Sequence, residues 1–174
     1  MALLHIIEAP DARLRTISKP VAAVTDATRT LIADMFETMY AAPGIGLAAI
    51  QIGVPERLLV IDLQEEEDAD EKPVRTPRVF INPEIIASSE ETGFYNEGCL
   101  SVPEQYADVE RPLRVTARWL DEHGAAHEAE IDGMLATCLQ HEMDHLEGIL
   151  FVDHLSKLKR DMLLKKLAKL KRAA

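Results

Sequence analysis

The sequence predicts an α+β fold, and three observations carry that prediction. Three stretches show a helical apolar period, several short strand-like runs stand apart from them, and no regular strand–helix–strand alternation links the two kinds. At 174 residues the chain can bury a core without disulfide staples, and residues 1–174 are read as a single domain.

Thr25 or Asp26 caps a first helix that runs to about Ala41, with Leu31, Met35, Phe36 and Met39 on its apolar face and Pro43-Gly44 ending it. Arg57–Leu63 reads as a strand. The segment Gln64–Pro77 comes next, with Glu65, Glu66, Glu67, Asp68, Asp70 and Glu71 clustered, a composition that suits a solvated loop between strands. Val79–Ile86 is a second strand candidate, interrupted by Pro83. Leu113–Leu120 and His127–Ile131 form a hairpin turning at Asp121-Glu122-His123-Gly124. A second helix spans about Gly133 to Glu147, with Asp132 as N-cap and Gly148 just beyond its end. The third covers about 156–172, where Leu158, Met162, Leu163, Leu167 and Leu170 give a wide apolar face ringed by Lys and Arg.

Composition narrows the function classes. Hydrophobic residues make up 47% of the chain, yet no apolar run approaches the roughly 18 residues needed to cross a membrane. Met1-Ala2-Leu3-Leu4-His5 has neither the basic start nor the apolar stretch of a secretory signal, so a cytoplasmic location is expected. Two cysteines make no disulfide framework; each is a small buried hydrophobe or a thiolate with a task. The net charge of −11 hides a division, since residues 156–174 hold eight Lys/Arg against one Asp, a net of +7, and the rest carries −18. The acidic body argues against broad nucleic-acid binding, and no specific DNA binding is expected.

The chemistry centres on His141-Glu142-Met143-Asp144-His145. Residues four apart on a helix lie on one face, about 6 Å apart along the axis, so His141 and His145 present two imidazoles to one metal. Glu142 projects beside them, placed to hold a water without being a ligand, which is the H-E-x-x-H arrangement of metallohydrolases. A catalytic site needs a third protein ligand and an open position. The H-x-x-G-x-x-H continuation fails because position 151 is Phe, and no Glu occurs after Glu147. Asp153 adjoins the helix end and Asp161 lies in the basic tail, which makes a cysteine the better candidate. Cys138 shares the helical face but stands seven residues from His145, about 10.5 Å along the axis, too far for one metal with bonds near 2 Å. The geometry leaves Cys99, in Glu97-Gly98-Cys99-Leu100-Ser101, and a Cys-His-His site with water in the fourth place.

Three segments, in order, resemble the three motifs of the peptide deformylases: Gly44-Ile45-Gly46-Leu47-Ala48-Ala49-Ile50-Gln51, Glu97-Gly98-Cys99-Leu100-Ser101 and Gln140-His141-Glu142-Met143-Asp144-His145. The resemblance implies one catalytic domain with antiparallel β-sheets wrapped around the motif-bearing helix. It implies removal of the formyl group from the initiator Met of nascent chains, with release of formate. Glu142 would then pass the proton from water to the leaving amine, and the Gln51 side chain with the Leu100 backbone N–H would stabilise the oxyanion. By the same resemblance Ile45, Gly46 and Gly98 border the substrate peptide, while Tyr95, Met134, Cys138 and His141 line the pocket for its Met side chain. One divalent metal is implied, Fe(II) in the cell, with Zn(II), Ni(II) or Co(II) accepted after purification; no contact is carried over for Tyr106.

Other readings fit the residues less well. Gly44-x-Gly46-x-x-Ala49 matches a relaxed dinucleotide fingerprint, but a helix rather than a strand precedes it, and Gly53 and Pro55 interrupt the segment on its C-terminal side. A different H-E-x-x-H peptidase lacks its third His or Glu, and a catalytically idle binding module would not need Glu142, Gln51 and Cys99 together. Glu97 and Arg111 either brace the Cys99 loop or form a solvent-facing ion pair, and Asp144 either orients a ligand or sits exposed. His5, His123, His127 and His154 show no ligand spacing. Some bacterial deformylases dock at the ribosomal exit through a basic terminal helix, and the +7 tail suits the same partner.

Overall fold

The computed structural model describes residues 2–173. Helix α1 (Asp26–Ala41) starts where the Thr25 hydroxyl accepts from the Thr28 backbone and Thr28 reaches back to Thr25 N, satisfying two otherwise orphan donors. Met35 and Met39 on its apolar face are fully buried, with Ile32 beside them. Strands β1 (Gly46–Ala48), β2 (Leu58–Ile61) and β3 (Arg78–Ser88) come next, then β4 (Thr92–Cys99), β5 (Val102–Pro112), β6 (Arg114–Leu120) and β7 (Ala126–Asp132). Helix α2 (Gly133–Leu146) and helix α3 (Lys157–Ala173) complete the chain, separated by a 3-10 turn at Phe151–His154.

The strands make two antiparallel sheets, one in the order β1-β2-β3-β6-β7 and one formed by β4 and β5 alone. Helix α2 lies against β1, β2, β6 and β7 of the first sheet and β5 of the second. Nine of its 14 residues are buried, so the helix threads the interior rather than covering a face. Its polar side chains therefore sit in low dielectric, where each needs a partner or a task.

Several elements differ from the sequence expectation. β3 runs through Pro83 because the register slips between Ile81 and Glu84, and Asn82 there adopts a positive φ of 50°. The Asn82 side chain bonds Val21 N and O at 2.8 and 3.0 Å, anchoring the irregularity that tolerates a proline. Asp132 precedes α2 but its side chain makes no cap bond, and Gly133 enters the helix through a left-handed φ of 61°. The β4–β5 hairpin and the short β1 have no counterpart in the sequence reading. On α3 only Leu167 is buried; Leu158 and Met162 are 72% and 51% exposed, so the expected apolar face is packed along part of its width.

Candidate active site and metal centre

Three elements converge on one end of α2. The helix supplies His141, Glu142 and His145, which its pitch stacks on one side, the two imidazoles meeting edge to face with centroids 5.1 Å apart. The β4 terminus supplies Cys99, where the β4–β5 register slips after Gly98. A 3-10 turn, Ala49–Ile52, comes directly after β1 and supplies Gln51. Ligand atoms of Cys99, His141 and His145 all lie within 4.8 Å of one another, with Cys99 Sγ 3.4 Å from His145 Nε2.

That donor set fits a divalent metal. His141 Nδ1 stands 2.9 Å from Glu97 Oε1; a carboxylate accepts only, so Nδ1 donates there and Nε2 is the nitrogen free for a metal. Although burial disfavours the cation, Cys99 and Glu97 hold this imidazole well above its usual range, so a metal would displace the proton from Nε2. Burial holds His145 well below the usual imidazole range, which keeps it neutral and able to ligate. One thiolate, two imidazoles and an open side facing a cavity are the ligands of a catalytic rather than a structural site.

Glu142 points into the same space. Burial pushes its carboxyl up to about 7, and its Oε2 is buried without a protein hydrogen-bond partner. A carboxylate with one unengaged oxygen and a raised proton affinity is equipped to take and return a proton. Gln51 is held from both ends: its Oε1 accepts from Ala48 N at 2.9 Å, and its Nε2 donates to Ser101 Oγ at 3.0 Å while lying 3.6 Å from Cys99 Sγ. The amide is thus fixed with its donor beside the thiol.

The cavity on this side has a volume of about 300 Å³. Ile45, Gly46, Gly98, Tyr95, Met134 and Cys138 all line it, together with Gln51, Cys99, Leu100, His141 and Glu142. His145 lies fully buried beyond it. Cys138 forms wall: burial, then the nearby Glu142, raises its thiol well above the usual range. A Cβ added to Gly46 would come within 3.0 Å of both Cys138 Sγ and Glu142 Oε1, so the glycine lets backbone pass close over the site.

The structure also decides two open alternatives. Arg111 and Glu97 are each 5% exposed and pair through both carboxylate oxygens at 2.7 and 2.9 Å, so the pair is internal. Asp144 is engaged rather than free, accepting from Arg111 Nη1 at 2.8 Å and from His154 Nε2 at 2.7 Å. Sequence reasoning missed Ser101, which holds Gln51 from 50 residues away, and His154, which no local spacing connects to the site. It also missed Asn96 and Tyr106 as lining residues; Tyr106 is brought there as the cross-strand partner of Gly98, a pairing that nothing local in the sequence signals.

An enclosed helix carrying H-E-x-x-H, with a hairpin cysteine completing the ligand set, defines the class as a metallohydrolase of mixed α+β architecture. The sequence profile of the polypeptide deformylase family matches residues 3–161, and the chain belongs to that family. The chain is 73% identical over 173 residues to the peptide deformylase of Rhizorhabdus wittichii, covering 99% of this chain and 98% of that one. It is 59% identical to the peptide deformylase of Novosphingobium aromaticivorans, with both chains covered in full. Among solved structures, the peptide deformylase of Ehrlichia chaffeensis in complex with actinonin superposes with a TM-score of 0.91 at 43% identity, covering 99% of each chain. That of Legionella pneumophila gives 0.89 at 48% identity, covering 99% of this chain and 97% of that one. The family consists of metal-dependent hydrolases acting on formylated nascent peptides.

Proposed function

We propose that residues 1–174 form one catalytic domain that hydrolyses the N-formyl group of the initiator methionine, releasing formate. The observation that carries this is the meeting of Cys99, His141 and His145 within 4.8 Å beside a cavity whose wall includes Cys99, His141, Glu142 and Gln51. Cys99, His141 and His145 would hold a divalent metal, which would supply Lewis acidity to water and to the formyl oxygen near neutral pH. Glu142 takes the proton from water and returns it to the departing amine. Gln51 Nε2 and the Leu100 N–H stabilise the negative charge on the former formyl oxygen, each worth about 2.7–4 kcal/mol. Ile45, Gly46 and Gly98 border the peptide backbone, and Tyr95, Met134 and Cys138 receive the Met side chain.

Thiolate, imidazole and an open position suit Fe(II) and Zn(II) alike. We assign Fe(II) to the protein in the cell, with Zn(II), Ni(II) or Co(II) taking the site after purification; metal analysis of protein isolated without oxygen tests this. We assign the enzyme to the cytoplasm, where ribosomes would supply such a substrate. Helix α3, with its exposed lysines, docks it at the ribosome.

Anaerobic incubation of metal-loaded protein with formyl-Met-Ala-Ser, with formate measured, tests the activity. Formate release at a rate that falls at least about 100-fold in Glu142→Ala, with metal content unchanged, is expected. Absence of formate rejects the assignment, and cleavage of an internal peptide bond would favour a peptidase.

A further inference from the structure

On the side of His141 away from the cavity, a chain of hydrogen bonds leads to the protein surface. His141 Nδ1 donates to Glu97 Oε1 at 2.9 Å. Glu97 accepts from Arg111 Nε and Nη2 at 2.7 and 2.9 Å. Arg111 Nη1 donates to Asp144 Oδ2 at 2.8 Å, and the same oxygen accepts from His154 Nε2 at 2.7 Å. The five residues come from four elements: α2, β4, β5 and the 3-10 turn after α2. His141, Glu97 and Arg111 are buried, with side-chain exposures of 8%, 5% and 5%, and the chain reaches solvent only at Asp144 and His154, at 21% and 35%.

We propose that His154 is a positioning residue, the surface anchor that fixes the His141 ring through Asp144, Arg111 and Glu97 and so sets how firmly the site keeps its metal. The inference rests on the metal reading given above. Its logic is geometric. The Arg111–Glu97 fork is planar and bidentate, so the guanidinium plane dictates the carboxylate plane, which dictates where the imidazole points. Arg111 is long and flexible, and the nitrogen outside the fork, Nη1, is held by Asp144 Oδ2. Asp144 lies near the C-terminus of α2, partly exposed to a cavity of about 320 Å³ lined also by Arg57, Glu110 and Glu147. Arg57 is occupied by Glu147 at 2.6 Å, leaving His154 as the second donor that holds the oxygen in place. The neighbouring Asp153 pairs with Arg15, so it does not compete for Asp144 or His154.

Two substitutions at this exposed position separate the hydrogen bond from simple packing. His154→Phe keeps a flat ring and removes the donor, whereas His154→Gln keeps an N–H within reach of Asp144. With the Co(II)-substituted protein, release of Co(II) to a chelator and the kcat and KM for formyl-Met-Ala-Ser are measured together. Losing a residue bonded directly to a ligand costs about 10–100-fold in metal affinity or activity, and His154 acts three links further back. His154→Phe is therefore expected to release Co(II) about 3–10-fold faster and to lower kcat similarly, with KM unchanged, while His154→Gln returns both to near the parent values. Unchanged Co(II) release in His154→Phe, or equal defects in the two variants, overturns the inference. A parent protein that takes up no Co(II) would instead overturn the metal reading, and this inference with it.

Discussion

At the level of single residues the site is governed by how little space surrounds Glu142. Its raised proton affinity comes first from burial, and the backbone of Gly46 passes close enough that a methyl group there would touch the carboxylate. Gly46→Ala should therefore leave the fold intact and displace the base: kcat/KM is expected to fall at least about tenfold, a change of ~1.4 kcal/mol in the barrier, while the melting temperature moves little. Only the ionised carboxylate accepts a proton. With burial as the largest cause, its pKa is pushed up to about 7, so kcat/KM should rise with pH as the group ionises and be lost as pH falls through that value. A cation on the neighbouring ligands favours the charged form, so the metal-loaded protein should show its acidic limb below 7. A pH–rate profile whose acidic limb persists in Glu142→Gln would assign that limb to another group. The sequence revealed the His pair and Glu142 through helical spacing alone, and exclusion of Cys138 and Phe151 led to Cys99. Gln51 was reached only through the motif resemblance and not through any physical signal, because its clamp, Ser101, lies 50 residues away in the β4–β5 turn.

Among the elements, legibility tracked the apolar pattern. Helices α1 and α2 and the β6–β7 hairpin carry enough period in their apolar residues to be read, and β2 is legible as a continuous apolar run. The β4–β5 hairpin does not, because its buried positions include Glu97, Gln105 and Arg111, so alternation there is carried partly by polar side chains. The hairpin that delivers Cys99 was hidden by the same internal ion pair that serves the site. Strand β1, at three residues, is too short to show a period. The stop of α2 was visible as Gly148, and the structure explains its necessity: φ is 73°, and a Cβ would lie 2.6 Å from the backbone oxygen of Arg15. Backbone cannot move aside as a side-chain tip can. Gly148→Ala is expected to destabilise the protein by about 1–3 kcal/mol from the strained conformation alone. For a chain of this length that corresponds to a melting temperature lower by roughly 2–4 °C per kcal/mol. An unchanged melting temperature would show that the turn relaxes freely.

Across the whole molecule, charge is segregated: an acidic body of −18 carries a terminal segment of +7. Helix α3 is attached by Leu163, Leu164 and Leu167, which pack on a core cluster containing Val102, Val109 and Phe151. Removing the helix would uncover that cluster and confound loss of docking with loss of stability. Lys165, Lys166 and Lys169 instead lie exposed on α3 and outside the catalytic cavity, so their charge can be reversed while the packed leucines stay. If the helix meets ribosomal RNA, each lysine that neutralises a phosphate releases counterions, and binding weakens steeply with salt. The triple variant Lys165→Glu, Lys166→Glu, Lys169→Glu should co-sediment with ribosomes at least about tenfold less at low salt. Its salt dependence should be shallower by roughly 0.7–0.9 in log–log slope for each phosphate that is no longer neutralised. Formate release from free formyl-Met-Ala-Ser should remain at the parent rate, because the cavity is unchanged. Co-sedimentation that keeps the parent strength and slope would mean that the basic helix is only a solvated terminal element, and that the enzyme meets its substrates by diffusion.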